Sequence, residues 1–370
     1  MAEWKECTIK DLGEVVGGAT PSTKDPCNYE NGSIPWITPK DLSLLNGRFI
    51  SQGERCITEK GLRSCSAQMM PKNSVLFSSR APIGYVAISG CPVCTNQGFK
   101  SIVPNRETDF LFLYYLLKYK KDEIENMGSG TTFKEVSGTT MKGIKVTVPK
   151  DIETQKAIGR ILGSIDDKIE ENQQINHNLQ QQALAIYREL SKGEPTHCLG
   201  DLIVEMPKSK IKVGDAKDIK GEYPFFTSGK AVLAYPNALV SGRKIYLNTG
   251  GNADVKFYIG DAAYSTDTWC IEGRTWSTDY LYLALVDLLP EIEQTCFEGS
   301  ALRHLQKGKL KSLPVYIPTT EERTSLLFAV KALLDQQSRN IQENKRMAAL
   351  RDTLLPKLMN GEIDVSDVEV

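Results

Sequence analysis

One long stretch of the chain, from about Asp151 to Ser191, carries hydrophobic residues at helical spacing. Its apolar positions lie near one stripe of a helix and are Ile158, Ile161, Ile165, Ile169, Ile175, Leu179, Ile186 and Leu190. Asn172 and Asn176 interrupt the stripe. An asparagine buried in a seam between helices sets the register at some cost in stability. The pattern therefore predicts a helix of about 40 residues that packs against another helix.

A second long helix is predicted near the end of the sequence. It opens at Thr319, which has capping-box spacing to Glu322, and runs to about Leu355, where Pro356 should bend or end it. The first long helix is its only large apolar partner, so we expect the second helix to pack back along the first as an antiparallel pair. The residues expected in the seam of that pair are Ile165, Ile169, Asn172, Asn176, Leu179, Val330, Leu334 and Asn344.

The chain also repeats itself. The segment from Gly130 to Pro149 matches the segment from Gly299 to Pro318 without a gap, and 318 minus 149 gives an offset of 169 residues. The match continues into both helices, where Asp166 pairs with Asp335, and the beginnings of the two halves are alike at Leu12-Gly13 and Leu199-Gly200. Two unrelated amphipathic helices could look alike by themselves, but they would not share the segments before them. We therefore interpret the chain as a duplication.

Each half reads as a globular block followed by its long helix. Short apolar runs between Gly- and Pro-rich turns predict strands at 75–77, 85–88 and 144–148 in the first block and at 244–247, 255–259 and 269–271 in the second. A helix is expected from about Asp109 to Met127 and another near Thr278 to Leu289. The predicted fold is α+β: two globular domains joined by two long antiparallel, coiled-coil-like helices in a pseudo-two-fold internal repeat. The expected segments are 1–150, 151–193, 194–318, 319–360 and a tail at 361–370.

Composition narrows the class of protein. Hydrophobic residues make up 41% of the chain, which is enough for a packed core, and the longest apolar run, Phe110 to Leu117, is too short to cross a membrane. Nine cysteines are too few for a disulfide scaffold, so we expect free thiols and a cytoplasmic location without membrane contact. The net charge of −1 indicates no nucleic-acid partner by itself. Any such partner must be argued from local features.

Motifs of common enzymes are missing. Gly229-Lys230 and Gly308-Lys309 lack the upstream glycine of a phosphate-binding loop, and the sequence has no consecutive prolines of the kind found in amino-methyltransferase loops. The pair Cys91 and Cys94 has the spacing of a zinc knuckle, but no second Cys/His pair stands at a workable distance. We therefore expect neither a catalytic site nor a metal in this chain.

Polar, small and basic residues instead cluster in matched loops of the two blocks. Such side chains can pair with base edges or hold phosphates, although ordinary solvated loops have a similar composition. The candidates for DNA contact in the first block are Thr20, Ser22, Lys24, Lys40, Ser78, Ser79, Arg80, Asn96, Gln97 and Lys100. Those in the second block are Ser228, Lys230, Arg243, Lys244, Asn248, Asn252 and Arg303. Two similar blocks on paired helices suit a long repeating ligand, of which duplex DNA is the commonest.

Several motifs together resemble those of one known family over nearly the whole chain. They are Gly18-x-Thr20-Pro21-Ser22, Pro35-Trp36-Ile37-Thr38-x-x-Asp41-Leu42, Leu76-Phe77-Ser78-Ser79-Arg80-x-x-Ile83-Gly84, Asn96-Gln97-x-Phe99, Ile165-Asp166-x-Lys168-Ile169 and Pro224-Phe225-Phe226-Thr227-Ser228. The combination resembles the DNA specificity subunit of type I restriction–modification enzymes. The second block is shorter and lacks the Trp-Ile-Thr-x-x-Asp-Leu motif.

The resemblance implies a function and a set of partners. It implies two target-recognition domains that each read half of a bipartite site in double-stranded DNA, in a non-catalytic chain that docks two methyltransferase subunits and restriction subunits. It also implies that S-adenosylmethionine, ATP and Mg would be used by those partners and that this chain binds no cofactor. Two alternatives stay open: a coiled-coil scaffold that binds only protein, and an enzyme whose site is unrecognised.

Overall fold

A computed structural model describes residues 2–130, 134–217 and 219–365, apart from the side chains of residues 325 and 326. Contacts divide the chain into two compact units, residues 1–171 together with 344–370, and residues 172–343. We call these the first unit and the second unit. The predicted segments treated the long helices separately, whereas each compact unit takes in part of both helices.

The first unit contains short strands and helices in mixed order. Its strands are β1 (Trp4–Thr8), β2 (Gly13–Gly17), β3 (Ile34–Ile37), β4 (Phe49–Ile50), β5 (Arg55–Ile57), β6 (Val75–Ser79), β7 (Ile83–Ser89), β8 (Cys94–Thr95), β9 (Lys100–Pro104) and β10 (Lys145–Pro149). Its helices are α1 (Ile9–Leu12), α2 (Pro39–Ser43), α3 (Glu59–Arg63), α4 (Phe110–Tyr119), α5 (Lys121–Asn126), α6 (Gly138–Gly143) and the first half of α7 (Ile152–Leu190). A 3₁₀ turn spans Pro26–Asn28.

Three sheets organise the first unit. A five-stranded sheet has the order β2-β9-β6-β7-β4, a three-stranded sheet has the order β5-β3-β8, and β1 pairs with β10. All five residues of β6 are buried, because the strand lies in the middle of its sheet and is covered on both faces. The largest core of this unit joins the sheet to α4, whose Phe112 and Leu113 are fully buried.

The second unit is built in the same way. Its strands are β11 (His197–Cys198), β12 (Ile203–Glu205), β13 (Tyr223–Phe226), β14 (Val232–Tyr235), β15 (Arg243–Asn248), β16 (Val255–Ile259), β17 (Ala263–Tyr264), β18 (Thr268–Gly273), β19 (Phe297–Glu298), β20 (His304–Leu305) and β21 (Pro314–Val315). Its helices are α8 (Leu199–Leu202), α9 (Val213–Ala216), α10 (Thr278–Asp287), α11 (Leu289–Thr295), α12 (Lys307–Lys311) and the first half of α13 (Thr320–Met359).

The strand order confirms the duplication. The main sheet of the second unit has the order β12-β18-β15-β16, and its three-stranded sheet has the order β14-β13-β17. These orders repeat those of the first unit, apart from β4, for which the described residues of the second unit supply no equivalent in the main sheet. In both three-stranded sheets the central strand has one antiparallel and one parallel neighbour. Gly130 and Gly299, which the repeat pairs, both have φ of 134°.

The predicted strands are confirmed, and three of the predicted helices differ in their boundaries. The segment 109–127 forms α4 and α5 with Lys120 between them, and the segment near 278–289 continues beyond α10 into α11. Pro356 neither ends nor interrupts α13, which runs on to Met359. Leu358 and Met359 are buried in the core of the first unit, so tertiary packing outweighs the lost backbone hydrogen bond. The prediction that α13 has only α7 as a large apolar partner is wrong for the same reason.

The long helices run antiparallel in each unit. In the first unit, Arg351 donates to Asp166 (Nη1 to Oδ1, 2.6 Å), and Asn344 donates to the carbonyl of Ile169 (3.3 Å). Asp166 also accepts a hydrogen bond from the hydroxyl of Tyr115 on α4 (2.7 Å). This buried carboxylate therefore joins α4, α7 and α13, which explains why an acidic residue stands in an apolar stripe.

In each unit, one arginine beside or within a strand forms ion pairs with a long helix. In the first unit, Arg48 is 4% exposed and donates to the carbonyl of Gly163 (3.1 Å), to Glu170 (3.1 Å) and to Asp167 on α7. In the second unit, Arg243 at the start of β15 donates to Asp279 on α10 (2.9 Å) and to Asp335 on α13. These two anchoring arginines, Arg48 and Arg243, do not occupy equivalent positions of the repeat.

Candidate nucleic-acid interface

Three polar loops meet at one edge of the first unit. They are residues 18–24 after β2, residues 38–40 after β3, and residues 96–98 between β8 and β9, and we call them the first loop surface. The backbone amide of Ala19 donates to the carbonyl of Thr95 (3.0 Å), and that of Asn96 donates to the carbonyl of Ile37 (3.0 Å). A side chain at Gly18 would overlap the carbonyl oxygen of Asn96, so glycine permits this close approach.

Side chains reinforce the first loop surface. The hydroxyl of Thr20 donates to the side-chain oxygen Oε1 of Gln97, and the side-chain oxygen of Asn96 accepts from the backbone amide of Gly98 (2.9 Å). Thr38 and Asp41 form a capping box at the start of α2, in which the amide of Thr38 donates to Asp41 (2.7 Å). Gln97 remains exposed, so its amide nitrogen is available to an outside partner.

The basic candidates of the first unit differ in how far their charge is neutralised. Arg80 and Lys100 both contact Glu135, at 3.5 Å and 3.2 Å, and Lys40 pairs with Glu54 at 2.6 Å. Lys24 is exposed and has no ion pair within the described part of the chain, and Ser22 beside it is exposed too. Lys24 is therefore the basic candidate on this surface whose charge is uncompensated.

Two serine candidates do not lie on a loop. Ser78 and Ser79 belong to β6 and are fully buried. The hydroxyl of Ser78 donates to the carbonyl of Pro82 (2.8 Å) and accepts from the amide of Tyr85 (2.8 Å), which holds the β6–β7 connection together. The loop placement predicted for these two residues is wrong, because their strand is buried on both faces.

The second unit has the equivalent three loops. Residues 206–212 follow β12, residues 227–230 follow β13, and residues 265–267 lie between β17 and β18; we call them the second loop surface. The amide of Ser265 donates to the carbonyl of Phe226 (2.9 Å), as Asn96 does to Ile37 in the first unit, and the amide of Thr266 donates to the carbonyl of Ile211 (2.9 Å). Ser228 donates to the carbonyl of Asp267.

A hollow of about 350 Å³ opens beside this surface and brings four candidates together. Its lining includes Ser228, Lys230, Asn248 and Asn252. Lys230 and Asn252 are exposed there. Asn248 is buried, donates to the carbonyl of Asn252 (3.3 Å) and accepts from Lys256 (3.2 Å), so it shapes the hollow from inside.

The structure places two basic candidates of the second unit, Arg243 and Lys244, in a strand, whereas Arg303 lies between β19 and β20 as expected of a loop residue. Lys244 was counted among the loop candidates although it also begins the predicted strand at 244–247; it lies in β15, 8% exposed, and donates to Glu272 (2.6 Å) and to the carbonyl of Ser241 (2.8 Å). Arg243 is held by two carboxylates, as described above. Arg303 donates to Glu293 (2.5 Å) and to backbone carbonyls. These three cations satisfy internal acceptors, which leaves them little to offer a ligand.

Comparison with known proteins adds to this geometry. The model of the type I restriction modification DNA specificity domain matches residues 1–181 and again residues 196–344. The chain belongs to this family. The double match coincides with the duplication that the strand order shows.

Relatives and solved structures agree with that membership. The chain is 32% identical to the type I restriction enzyme MjaIX specificity subunit of Methanocaldococcus jannaschii over 99% of this chain and 95% of that protein. It is 29% identical to the EcoR124I/EcoR124II specificity subunit of Escherichia coli over 51% of this chain and 47% of that protein. The crystal structure of the type I restriction–modification S subunit from M. genitalium has a TM-score of 0.59 at 16% identity and covers 96% of each chain, which shows a shared fold.

Asparagines line the helix pair of this family member. In the second unit, Asn172 is 2% exposed and donates to Glu343 (2.8 Å), and Asn340 donates to Asn176 (2.9 Å). Of the other seam candidates, Val330, Leu334 and Ile165 are buried, while Ile169 and Leu179 are half-buried. Hydrogen bonds from asparagines to defined partners on the other helix favour one register of the helices over others.

Sequence reasoning missed one group of basic residues. Lys208, Lys210 and Lys212 all lie on the second loop surface and are exposed. The alternation of lysine with Ser209 and Ile211 was visible in the sequence. It was overlooked because the candidates came from polar loops that look alike in both halves, and the first half has no such run.

Two searches of the described residues gave negative results. No helix there is long and apolar enough to span a membrane. Within the same residues, no group of His, Cys, Asp and Glu is arranged to hold a metal ion.

Proposed function

We propose that this chain is the non-catalytic DNA-recognition subunit of a type I restriction–modification complex and that each loop surface reads one half of a bipartite site. The observation that carries the proposal is that one fold occurs twice and that three polar loops converge at the same place in each copy. Exposed amide, hydroxyl and lysine side chains on these loops have the chemistry to contact bases and phosphates. A protein-binding scaffold would not need this convergence in both copies.

The proposal extends to partners. Family membership supports docking to methyltransferase and restriction subunits, which would supply the S-adenosylmethionine, ATP and Mg chemistry. We propose that α7 and α13 set the number of unread base pairs between the half-sites, since specific amide pairs fix their register. The alternative of a coiled-coil scaffold without DNA binding predicts no dependence of binding on DNA sequence.

A methylation experiment tests the proposal. The full chain is expressed with its methyltransferase partner in a host without other methylation systems, and modified bases are mapped across the genome. We expect one bipartite motif, no methylation with either protein alone, and no turnover by the purified chain. Turnover by this chain alone would contradict its non-catalytic role, and a folded, active complex without any motif would favour the scaffold alternative.

A chimera tests independent reading by the two units. Residues 1–150 are replaced by the matching block of a relative with another specificity. We expect one half-site to change while the other half-site and the spacer length stay the same. Because Leu358 and Met359 complete the core of the first unit, a second chimera also carries the relative's equivalent of 344–365. A change in both half-sites in a stable chimera would disprove independent reading.

A further inference from the structure

The second loop surface has a row of three lysines without a counterpart in the first unit. Lys208, Lys210 and Lys212 alternate with Ser209 and Ile211 in the loop between β12 and α9. All three lysines are exposed, whereas Ser209 is 6% exposed and Ile211 is half-buried. The backbone therefore turns every second side chain inward and leaves the lysines on the outer side. We call these three residues the lysine row.

Hydrogen bonds hold the backbone of the row in place. The Ser209 hydroxyl accepts from the amide of Ile211 (3.1 Å), and the Ile211 carbonyl accepts from the amide of Thr266 (2.9 Å). Just before the row, the carbonyl of Pro207 accepts from the hydroxyl of Tyr264 (2.5 Å). The Ile211 side chain packs against the small core around Phe225. The row is thus attached to the turn at 265–267, next to the loop that carries Ser228.

No carboxylate of the described residues neutralises the charges of the lysine row. Within the described residues none of the three lysines makes an ion pair, whereas Lys244, Lys256 and Lys307 of the same unit each pair with a carboxylate. The nearest acidic contact, from Asp215, is to the backbone amide of Lys212 (3.2 Å) and caps α9. Lys230, in the loop that carries Ser228, is a further exposed lysine of the second loop surface.

We propose that the lysine row binds consecutive or alternate phosphates of one DNA strand beside the second half-site, and that it contributes to affinity independently of sequence. The three lysines lie on one short loop and alternate with two inward-facing residues, so their ammonium groups can contact neighbouring phosphates of the same strand. Lysine suits this role because its ammonium group acts as a point charge without a preferred base.

The row would make the two units unequal. In the first unit the basic candidates are Lys24 and the ion-paired Lys40, Arg80 and Lys100, of which only Lys24 and Lys40 lie on the first loop surface. The second unit should therefore supply the larger share of salt-dependent binding. This inference rests on the proposed function, but its test does not need the recognition sequence to be known.

The test measures the salt dependence of binding to a labelled duplex of mixed sequence. The full chain in complex with its methyltransferase partner is compared with the triple variant Lys208→Gln, Lys210→Gln, Lys212→Gln between roughly 50 and 200 mM salt. Each lost phosphate contact should lower the slope of log K against log salt by about 0.9, so the triple variant should lose about 2.7. The methylation motif of the variant should be unchanged.

Two matched variants control for charge and folding. The triple Lys→Arg variant keeps the charges and should keep the slope. A triple variant with Lys10→Gln, Arg106→Gln and Lys145→Gln removes three exposed charges around α1, at the end of β2 away from the first loop surface, and should change the slope by less than about 0.9. A thermal melt of each variant confirms that the proteins compared are folded.

The outcomes separate this inference from the proposed function. An unchanged slope in the folded Gln variant, with a motif still read by the wild-type complex, would overturn the lysine row and leave the proposed function standing. A Gln variant whose motif relaxes in one half-site would also overturn it, because the lysines would then read bases. Absence of any motif for the wild-type complex would be a failure of the proposed function.

Discussion

The two units are copies of one fold whose loops have diverged. Their main sheets share the order of four strands, and their three-stranded sheets share both order and direction. On the first loop surface, Thr20 donates to Gln97, and Lys24 has no ion pair among the residues that the structure describes. On the second loop surface, the exposed side chains include the three lysines of the lysine row and Lys230. The sheets therefore keep the same strand order although the side chains on their loops differ. Loop residues can change the ligand preference of one unit without disturbing its core.

The anchoring arginines give the largest expected difference between the units. Arg243→Ala leaves Asp279, whose side chain is 6% exposed, without its cation, whereas Arg48→Ala leaves Asp167 and Glu170, which reach solvent. Removing one partner of a buried pair costs about 3–5 kcal/mol, so Arg243→Ala should lose that much, and Arg48→Ala should lose about 1–3 kcal/mol through its hydrogen bonds and packing. Urea unfolding, with hydrogen exchange to locate the affected unit, measures both.

The pH dependence of the Arg243→Ala defect sharpens this prediction. Burial raises the pKa of Asp279 even with Arg243 present to oppose it, and removing the arginine should raise that pKa further. A carboxyl with a raised pKa in the folded state is less destabilising once it is protonated, so the defect should shrink as the pH falls through that raised pKa towards the unfolded value. Arg243→Ala combined with Asp279→Asn should recover part of the loss at neutral pH. Equal losses for the two arginine variants would break the proposed contrast.

An intermediate effect is expected at Gln97, which is exposed on the first loop surface. Gln97→Ala should relax the first half-site at one position and cost about 1–3 kcal/mol of discrimination, because a lost amide contact to a base carries that energy. The second half-site should not change. Methylation mapping gives both results, and Thr266→Ala, at the position that the repeat pairs with Gln97, serves as the matched variant in the second unit. Relaxation of both half-sites by either variant would argue against separate reading.

The smallest effect concerns Glu205, which has a cluster of partners in the second unit. It accepts hydrogen bonds from Trp269 Nε1 (2.8 Å), Lys307 (2.9 Å) and Lys311 (2.6 Å). Partial burial opposes ionisation, but the bonds from the lysines and the tryptophan prevail and lower the pKa of Glu205 to about 2. Since a depressed pKa stabilises the folded state above the unfolded value, that contribution should be lost as the pH falls from about 4.5 towards 2.

The comparison of Glu205→Gln with the wild type tests this assignment. Because the Glu205 side chain is 37% exposed, solvent screening should limit the effect to below about 1 kcal/mol. Melting temperatures of the two proteins should differ at pH 6 and converge as the pH is lowered towards 2. A difference that grew on acidification would mean that the carboxylate is not stabilised by its lysine partners.

Much of the fold could be predicted because its signals are local or repeated. The helical stripe around Ile158 and Ile165 and the apolar runs of β6 and β15 follow directly from residue periodicity. The duplication added long-range information, since it showed that two distant segments must fold alike. The strand order could not be read, because pairing depends on contacts between residues far apart in the chain.

The site was harder to predict than the fold. Ser78 and Lys244 have polar side chains at the ends of apolar runs, and nothing local shows that other elements cover them or that Glu272 is there to receive the lysine. Pro356 was misread because the buried contacts of Leu358 lie in a core formed mostly by residues some 200 or more positions earlier. The alternation of lysines at 208, 210 and 212 could be seen in the sequence. The candidates were chosen from loops that look alike in both halves, so a feature present in one half was not considered.

The core of the first unit has a consequence for how the protein is made. Gly361, at φ of 71°, lies against the Trp4 indole, where an added Cβ would come within 2.7 Å of Nε1, and Val365 is buried in the same core. The residues of the second unit have all been synthesised by position 343, but the first unit still lacks part of its interior at that point. At about 5–20 residues per second, the 194 residues from 171 to 365 take roughly 10 to 40 s. The first unit therefore leaves the ribosome first but completes its core last. Part of that core stays uncovered until the second unit and residues 344–365 have been translated.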